Sequence, residues 1–186
     1  DQKVGKAVRD KTQFIHIIKI DLKNFQIVLL DSALVASAKK KSIEIIAQKN
    51  IKAPLATIWA LVEDFSNLDW YSPATKVEKI ASNNSDRKGE IRRIHMANMP
   101  EPVDEILDRI DNDNHSIYYH IPGTPMANYR VCVSLTDDPD GGVNAKWHAS
   151  FTEITVEGLT PEMMISMMEG TYSNMLEEIS RAVQAG

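Results

Sequence analysis

Apolar and polar residues alternate over most of the chain after residue 42, and this pattern predicts β-strands. The segment "SIEIIAQKNI", which begins at Ser42, is rich in β-branched residues and predicts the first strand. Six further segments have the length of strands and no helical period: 75–81, 89–97, 102–110, 115–121, 127–136 and 144–156. Turn-rich separators such as "SNNSDRKG" and "DDPDGG" divide them. Strands at this spacing, joined by tight turns, predict an antiparallel meander.

Apolar residues at helical spacing occur in two regions. Pro54 opens "PLATIWALVED", which predicts a short helix, and "DFSNLDWYSPA" follows as a second short helix or turn that Pro73 ends. Near the C-terminus, Thr160 stands where it can cap a long helix that runs to about Ala182. This order of elements predicts an α+β fold, in which a curved sheet packs across one long helix.

Composition and charge divide the chain into two parts. The chain has 186 residues, of which 43% are hydrophobic and 25% charged, as in an ordinary soluble globular protein. The net charge of −5 is uneven, because residues 1–42 hold nine Lys/Arg and four Asp/Glu. We therefore predict a basic N-terminal extension, residues 1–42, and an acidic main domain, residues 43–186. The acidity of this domain argues against a nucleic-acid partner.

Cysteine content and the N-terminal stretch bear on metal binding and location. Cys132 is the single cysteine, and no Cys/His cluster has zinc spacing, so we expect no metal and no cofactor. The stretch ending at Ala38 resembles a degenerate export signal, but Asp31 interrupts its apolar run. We therefore predict ordered strands, or a strand and a helix, over 14–20 and 25–36, and a cytoplasmic location with export as the alternative. No run is apolar for long enough to span a membrane.

Five segments between residues 43 and 184 carry a resemblance to a known superfamily: "IKAPLATIWALVEDFSNLDWYSPA", "KGEIRR", "PVDEILDRID", "YYHIPGTPMANYRVCV" and "GGVNAKWHASF". Their order and spacing resemble the START-like, Bet v 1-like helix-grip proteins (the SRPBCC superfamily), and above all the polyketide cyclase/dehydrase branch. The resemblance implies a seven-stranded curved antiparallel sheet around a long C-terminal helix, with two short helices after the first strand. It also implies an apolar cavity between sheet and helix. Relatives bind or transport lipids, sterols, plant hormones or polyketides, and a minority catalyse cyclisation or dehydration.

The parity of strand positions predicts which side chains face that cavity, because successive residues of a strand point to opposite faces. Parity assigns seven apolar or aromatic side chains to the inner face: Ile94, Met96, Leu107, Tyr119, Tyr129, Trp147 and Phe151. Most of the histidines of the main domain, among them His120 and His148, have outward parity. Nothing in the sequence places a Ser or Cys nucleophile beside a histidine, so no catalytic triad is predicted.

Two charged residues, Arg92 and Glu105, also have inward parity. The relatives often carry an Arg and a Glu at the corresponding places, "IR" and "DEIL" here. A charge inside an apolar chamber is costly unless it is paired, so we predict that Arg92 and Glu105 form an ion pair. Either the pair satisfies itself and sets the strand register, or one member orients the polar end of a ligand.

Two segments distinguish the chain from some relatives. Tyr71 lies in "WYSP", where many relatives have a histidine after the tryptophan, and this departure lowers the weight of an enzymatic interpretation. Trp70 and Tyr71 are predicted to seal one end of the cavity. The loop "IPGTPMANY", residues 121–129, is predicted at the cavity mouth, but the gate motif of plant hormone receptors is not evident in it.

The helical stretch "TPEMMISMMEG", residues 160–170, has four methionines within six positions. Met164 and Met168 belong to an apolar stripe, with Tyr172 close to it. We predict an adaptable cavity wall in the N-terminal half of this helix and core packing in its C-terminal half. Gly170, which is costly inside a helix, predicts either a close approach of the sheet or room for a guest.

These observations support three hypotheses about function. The first is binding of a small hydrophobic ligand, a lipid, sterol or polyketide-like compound, by these residues: Arg92, Ile94, Met96, Glu105, Leu107, Tyr119, Tyr129, Trp147, Phe151, Met164, Met168 and Tyr172. The second is a cyclase/aromatase or dehydratase in which Arg92, Glu105, Tyr119 or Tyr129 moves protons. The third is docking of the basic extension onto another chain or a membrane surface. A homodimer is compatible with all three.

Overall fold

The computed structural model describes residues 17–21, 26–30 and 41–185. The chain divides into two compact units, residues 1–41 and residues 42–186, which are described separately below. The second unit is called the main unit from here on.

The described residues of the first unit form an antiparallel strand pair. Strand β1 (Ile17–Asp21) pairs with β2 (Gln26–Leu30), and Ile17 lies opposite Leu30. These strands agree with the ordered elements predicted over 14–20 and 25–36. The rest of those two predictions, and the signal-like stretch ending at Ala38, fall outside the described residues.

The main unit is built on a seven-stranded antiparallel sheet, as predicted. Its strands are β3 (Ile43–Ile51), β4 (Ala74–Ile80), β5 (Ile91–Met96), β6 (Val103–Asp111), β7 (Ser116–His120), β9 (Arg130–Asp137) and β10 (Val143–Phe151). They lie in the order β3-β10-β9-β7-β6-β5-β4. Two short strands, β8 (Met126–Ala127) and β11 (Glu153–Ile154), form a separate ladder.

Two helices accompany the sheet among the described residues. Helix α1 (Leu55–Val62) follows Pro54 and buries Ile58 and Trp59. Helix α2 (Pro161–Ala185) packs against β3 and α1. Its predicted cap is present, because the Met163 backbone N–H donates to Thr160 Oγ1 at 3.3 Å. The arrangement confirms the α+β helix-grip architecture.

The second short helix expected after α1 is replaced by successive turns. Backbone N–H groups of Asn67 and Tyr71 donate to carbonyl oxygens three residues earlier, at 2.8 Å each. Short polar side chains also bond the backbone locally, since the Asp69 N–H donates to Asn67 Oδ1 at 2.9 Å. Such local bonds compete with helical hydrogen bonds, and this explains why the stretch folds as turns.

A bulge in β6 changes which side chains face inward. Leu107 pairs with Tyr119 and Arg109 pairs with Tyr118, so Asp108 is the extra residue. The inward positions therefore change from odd-numbered residues up to Leu107 to the even-numbered Ile110 beyond the bulge, which packs against the core. Parity alone predicts the faces correctly only up to this point.

Glu90, directly before β5, ties the turn after α1 to the sheet. Glu90 is 2% exposed, and its carboxylate accepts hydrogen bonds from Arg87 Nη2 and Ser66 Oγ, both at 2.6 Å. The bonds from Arg87 are the main reason that the pKa of Glu90 falls from 4.5 to about 2. The ionised carboxylate therefore stabilises the fold above pH 4.5, and this stabilisation is lost as the pH falls toward 2.

We expect Glu90→Gln to lower the free energy of unfolding at neutral pH by about 1.5–3 kcal/mol, because hydrogen bonds to a charged group are lost. Urea unfolding of both proteins over a pH series measures the effect. The difference between them should shrink as the pH falls from 4.5 toward 2. Glu101→Gln, at an exposed position, is the control and should change little at any pH. A difference that stays constant with pH would contradict the role of the Glu90 charge.

Candidate ligand-binding pocket

A pocket of about 710 Å³ lies between the N-terminal half of α2 and the ends of β5 and β6. The loop 121–129 forms a further wall, and Tyr71 and Pro73 contribute from the turns that follow α1. The volume lies within the about 300–1,000 Å³ typical of small-molecule sites. Among the described residues that line the pocket, Glu105 is the one with a formal charge.

The loop 121–129 is held in place by the ladder between β8 and β11. The Thr152 N–H donates to the Ala127 carbonyl at 2.9 Å, and the Thr155 N–H donates to the Pro125 carbonyl at 2.8 Å. Asn128, which has a positive φ of 57°, donates from Nδ2 to Thr152 Oγ1 at 3.0 Å. This side of the pocket is therefore shaped by backbone hydrogen bonds rather than by side-chain packing alone.

Methionine dominates the wall, because seven of the eight methionines of the chain line the pocket. They come from four parts of the fold: Met96 from β5, Met99 from the loop after it, Met126 from β8, and Met164, Met167, Met168 and Met175 from α2. Unbranched, polarizable thioethers adapt to irregular shapes and pack well against varied guests. The methionine-rich wall predicted on one helix thus also includes methionines from segments far away in sequence.

Gly170 borders the pocket with open space around it. A Cβ atom at this position would meet no heavy atom within 4 Å. This finding excludes a close approach of the sheet as the reason for this helical glycine, and room for a guest stays a prediction. The missing side chain leaves space beside the opening.

Seven of the twelve side chains predicted to contact a ligand line this pocket: Ile94, Met96, Glu105, Tyr129, Met164, Met168 and Tyr172. The other five are buried but lie outside the lining: Arg92, Leu107, Tyr119, Trp147 and Phe151. Their inward orientation agrees with parity. Contact with a ligand stays a prediction for the first group, and the position of the second group does not support it.

Aromatic packing explains why the second group lies outside the pocket. Trp147 stacks on Tyr172 with ring centroids 5.9 Å apart, and Phe65 packs on Tyr119 at 5.6 Å. The indole N–H of Trp147 donates to the Tyr119 hydroxyl at 3.0 Å. These contacts occupy the space between the middle of the sheet and α2, and the pocket lies beyond them, toward the N-terminal half of the helix.

The predicted ion pair between Arg92 and Glu105 is present and buried, with Arg92 Nε donating to Glu105 Oε2. Arg92 Nη1 donates to the Phe65 carbonyl at 2.8 Å, and the guanidinium lies 4.3 Å from the Phe65 ring centroid. Glu105 borders the pocket, whereas Arg92 lies behind it. The carboxylate is therefore the member of the pair that a guest can reach.

Three tyrosines in or beside the pocket are held neutral. The hydroxyls of Tyr129 and Tyr172 are hydrogen-bonded to each other. Burial is the main cause that raises the pKa of Tyr129 and the pKa of Tyr172, and Glu105 raises both further. Burial also raises the pKa of Tyr71, against a hydrogen bond with the Asn174 side chain. At neutral pH these hydroxyls donate or accept hydrogen bonds but do not act as phenolate bases.

The histidines of the sheet lie away from the pocket, as parity predicted for His120 and His148. His95 is paired with Glu78 at 2.6 Å, His120 with Asp108 at 2.9 Å, and His148 with Glu44. None of the three is among the lining residues. They hold neighbouring strands together on the outer face.

Several lining residues were absent from the sequence-based set, among them Met99, Met126 and Asn174. Met99 and Met126 lie in or next to loops, where parity does not apply. Asn174 lies on the same face of α2 as Gly170. It was left out of the sequence-based prediction because that prediction followed a stripe of apolar side chains, and Asn174 is polar. Tyr71, predicted to seal the pocket, does line it, while Trp70 does not.

Residues 17–21, 26–30 and 41–185 contain no group of three or more His, Cys, Asp or Glu placed to hold a metal ion. In the same residues, no helix has the length and apolar character needed to cross a bilayer.

Solved structures share this architecture at low sequence identity. A protein from Nitrosospira multiformis is 15% identical, with a TM-score of 0.62 over 75% of this chain and 94% of that one. The protein XoxI from Bacillus cereus is 17% identical, with a TM-score of 0.63 over 76% and 95%. An uncharacterized protein from Bacillus thuringiensis is 18% identical, with a TM-score of 0.63 over 76% and 99%. These similarities support the fold.

The sequence itself matches a family described as polyketide cyclase / dehydrase and lipid transport over residues 42–184. This match covers nearly the whole main unit and confirms the resemblance first noted from its five segments. With the seven-stranded sheet, the long C-terminal helix and the match in agreement, the chain belongs to the polyketide cyclase/dehydrase and lipid transport family.

Proposed function

We propose that the main unit binds a small, uncharged hydrophobic ligand in the methionine-lined pocket. The observation that carries this proposal is the combination of a volume of about 710 Å³ with a wall that includes seven methionines and one charged residue. The family description, which includes lipid transport, supports the same class of ligand. Apolar burial supplies most of the affinity in such a site, and a few polar groups fix the orientation.

The polar groups that would orient the ligand are Glu105, Tyr71 and Asn174, which border the pocket. Glu105 accepts hydrogen bonds, Asn174 both donates and accepts, and the neutral Tyr71 hydroxyl does the same. A ligand hydroxyl or amide N–H meets an acceptor here, and no basic side chain lines the described wall. This chemistry suits an alcohol or amide at one end of an apolar body.

An anionic ligand such as a free fatty acid fits this pocket poorly. Arg92, the nearest guanidinium, is engaged by Glu105 and by the Phe65 carbonyl and does not line the wall. Residues 97–102, 121–129 and 161–171, three segments that contribute to the pocket lining, contain three glutamates and no Lys, Arg or His. A ligand carboxylate would therefore meet negative charge both at the opening and inside.

Binding of decanol and of decanoate at neutral pH tests the proposal, with displacement of the neutral dye Nile red as the readout. The two compounds have the same chain length and differ at the polar end. We expect decanol to bind about tenfold more tightly, because the carboxylate of decanoate would be buried at a wall that offers it no basic partner. Mass spectrometry of gently purified protein, followed by extraction of bound compounds, identifies the natural class of ligand.

Glu105→Gln serves as the second arm of this comparison, because it removes the carboxylate from the wall and leaves Arg92 without its anionic partner. Circular dichroism verifies that the variant is folded before binding is measured. The preference for decanol over decanoate should narrow in this variant. Equal binding of the two compounds by the unaltered protein would refute the preference for uncharged ligands. Failure of Nile red and of both compounds to bind would refute ligand binding in the pocket.

A second candidate function is catalysis by the same pocket, and the observation in its favour is the Glu105 carboxylate at an apolar wall. A carboxylate in this setting can serve as a general base for cyclisation or dehydration of a polyketide-like substrate. Tyr119 does not line the pocket, and burial raises the pKa of Tyr129, so neither supplies a phenolate. Turnover of a poly-β-keto substrate analogue, abolished in a Glu105→Gln variant that is still folded and still binds the analogue, would favour this function over simple binding.

A further inference from the structure

Three methionines are strongly exposed, and only two of them belong to the pocket. Met99 is 42% exposed, Met163 53% and Met167 56%. Met99 and Met167 line the pocket, from the loop after β5 and from α2, whereas Met163 does not. The inner methionines Met126 and Met164 are each 4% exposed. The wall therefore changes from exposed thioethers at the opening to buried ones inside.

This gradient has a chemical consequence, because the oxidation of methionine depends on exposure. A lone pair of the thioether sulfur attacks one oxygen of hydrogen peroxide, the S–O bond forms and the O–O bond breaks. The second oxygen leaves as water after proton transfer, so the sulfur is oxidised by two electrons and the peroxide is reduced. The product, a sulfoxide, is polar and chiral, and dedicated reductases reverse it.

We infer that Met99 and Met167 are reversible oxidation sites that control entry of the hydrophobic ligand into the pocket. Oxidation places a strong sulfoxide dipole on both residues at the opening. An apolar ligand that contacts these residues then covers a polar group without offering it a hydrogen bond, which weakens binding. This inference rests on the proposed function, since it concerns the affinity of the same pocket.

The fold leaves these two methionines as the exposed sulfur atoms of the wall. Cys132, the single thiol of the chain, lies half-buried on β9, outside the pocket. Burial raises the pKa of Cys132, so little thiolate is available to react with peroxide first. Met163 is nearly as exposed as Met167 on the same helix and provides an internal measure of oxidant dose.

The experiment treats the full chain and three variants with hydrogen peroxide: Met163→Leu, Met99→Leu/Met167→Leu and Cys132→Ser. Mass spectrometry of peptides maps each sulfoxide, and Nile red titration before and after treatment measures the affinity. We expect sulfoxide at Met99, Met163 and Met167 before the buried methionines. Nile red affinity should then fall about tenfold in the unaltered protein, in Met163→Leu and in Cys132→Ser.

The double variant decides the inference. The affinity of the double variant after treatment should equal its own affinity before treatment. In the unaltered protein, the two epimer-specific methionine sulfoxide reductases applied together should restore binding. Equal loss of affinity in the double variant overturns the inference, as does full affinity of the unaltered protein when Met99 and Met167 are oxidised. Oxidation of the buried methionines first overturns it as well. If Nile red does not bind before treatment, the proposed function fails, and the peptide map still decides whether Met99 and Met167 are the oxidation sites.

Discussion

Replacing Arg92 with Met is expected to lower the free energy of unfolding by about 3–5 kcal/mol, because Glu105 then keeps a buried charge without a partner. Glu105 is 7% exposed and Arg92 is 5% exposed. The substitution also removes the hydrogen bond from Arg92 Nη1 to the Phe65 carbonyl at 2.8 Å. Urea unfolding at neutral pH, followed by tryptophan fluorescence, measures the change.

Two further variants distinguish the cost of leaving Glu105 unpaired from the cost of removing an arginine elsewhere on the same strand. Arg93, the next residue, forms a partly exposed pair with Asp104, with N–O distances of 2.7 and 2.8 Å. Arg93→Met should therefore cost at most about 1 kcal/mol. The double variant Arg92→Met/Glu105→Leu should recover most of the stability, since no buried charge remains. If Arg92→Met is no less stable than Arg93→Met, the buried pair does not have the role assigned to it.

The alternation of side chains was sufficient to predict the strands, their sheet and the buried ion pair. The predicted segment 102–110 corresponds to β6 (Val103–Asp111), and Glu105 on it faces inward. The alternation of apolar and polar residues along a strand shows which face of the sheet is buried. A seven-stranded sheet and one long amphipathic helix can bury that face in only a few packing arrangements. The faces of a strand can therefore be read from sequence until a bulge intervenes.

The extent of the pocket was less predictable, because it depends on contacts between distant elements. Trp147 and Tyr119 have the same inward parity as Ile94, yet their rings pack with Tyr172 and Phe65 and fill the space. No local pattern reports how far two large rings reach across a chamber. Loop residues such as Met99 carry no parity, so their place in the wall follows only from the fold.

The methionine cluster was the sequence feature that best indicated the position of the pocket. The cluster on α2 predicted an adaptable wall, and Met164 and Met168 do line the pocket. Met163, the neighbour of Met164 in the same cluster, does not line the pocket and is exposed. A helix turns 100° per residue, so adjacent methionines diverge in direction although they are neighbours in sequence. The methionine content therefore indicated where the pocket lies, and the position of each methionine around the helix decides whether it lines the pocket.

Replacing Gly170 with Phe is expected to abolish measurable Nile red binding without unfolding the protein. A Cβ atom at this position meets nothing within 4 Å, and a helical side chain leans toward the preceding turn, where Met167 lines the opening. The ring therefore occupies the entrance to the pocket. Phe is also a better helix former than Gly, by about 0.5 kcal/mol, so the free energy of unfolding should not fall.

Two matched variants make the Gly170 test specific. Gly170→Ala adds one methyl group to open space, so it should keep Nile red binding and raise the free energy of unfolding by about 1 kcal/mol. Ser166→Phe places the same ring on an exposed part of α2 outside the pocket and should leave binding unchanged. Normal binding by Gly170→Phe, or an equal loss in Ser166→Phe, would show that ligands do not pass this glycine. Loss of binding in Gly170→Phe alone places the entrance between Gly170 and Met167, where the exposed thioether lies.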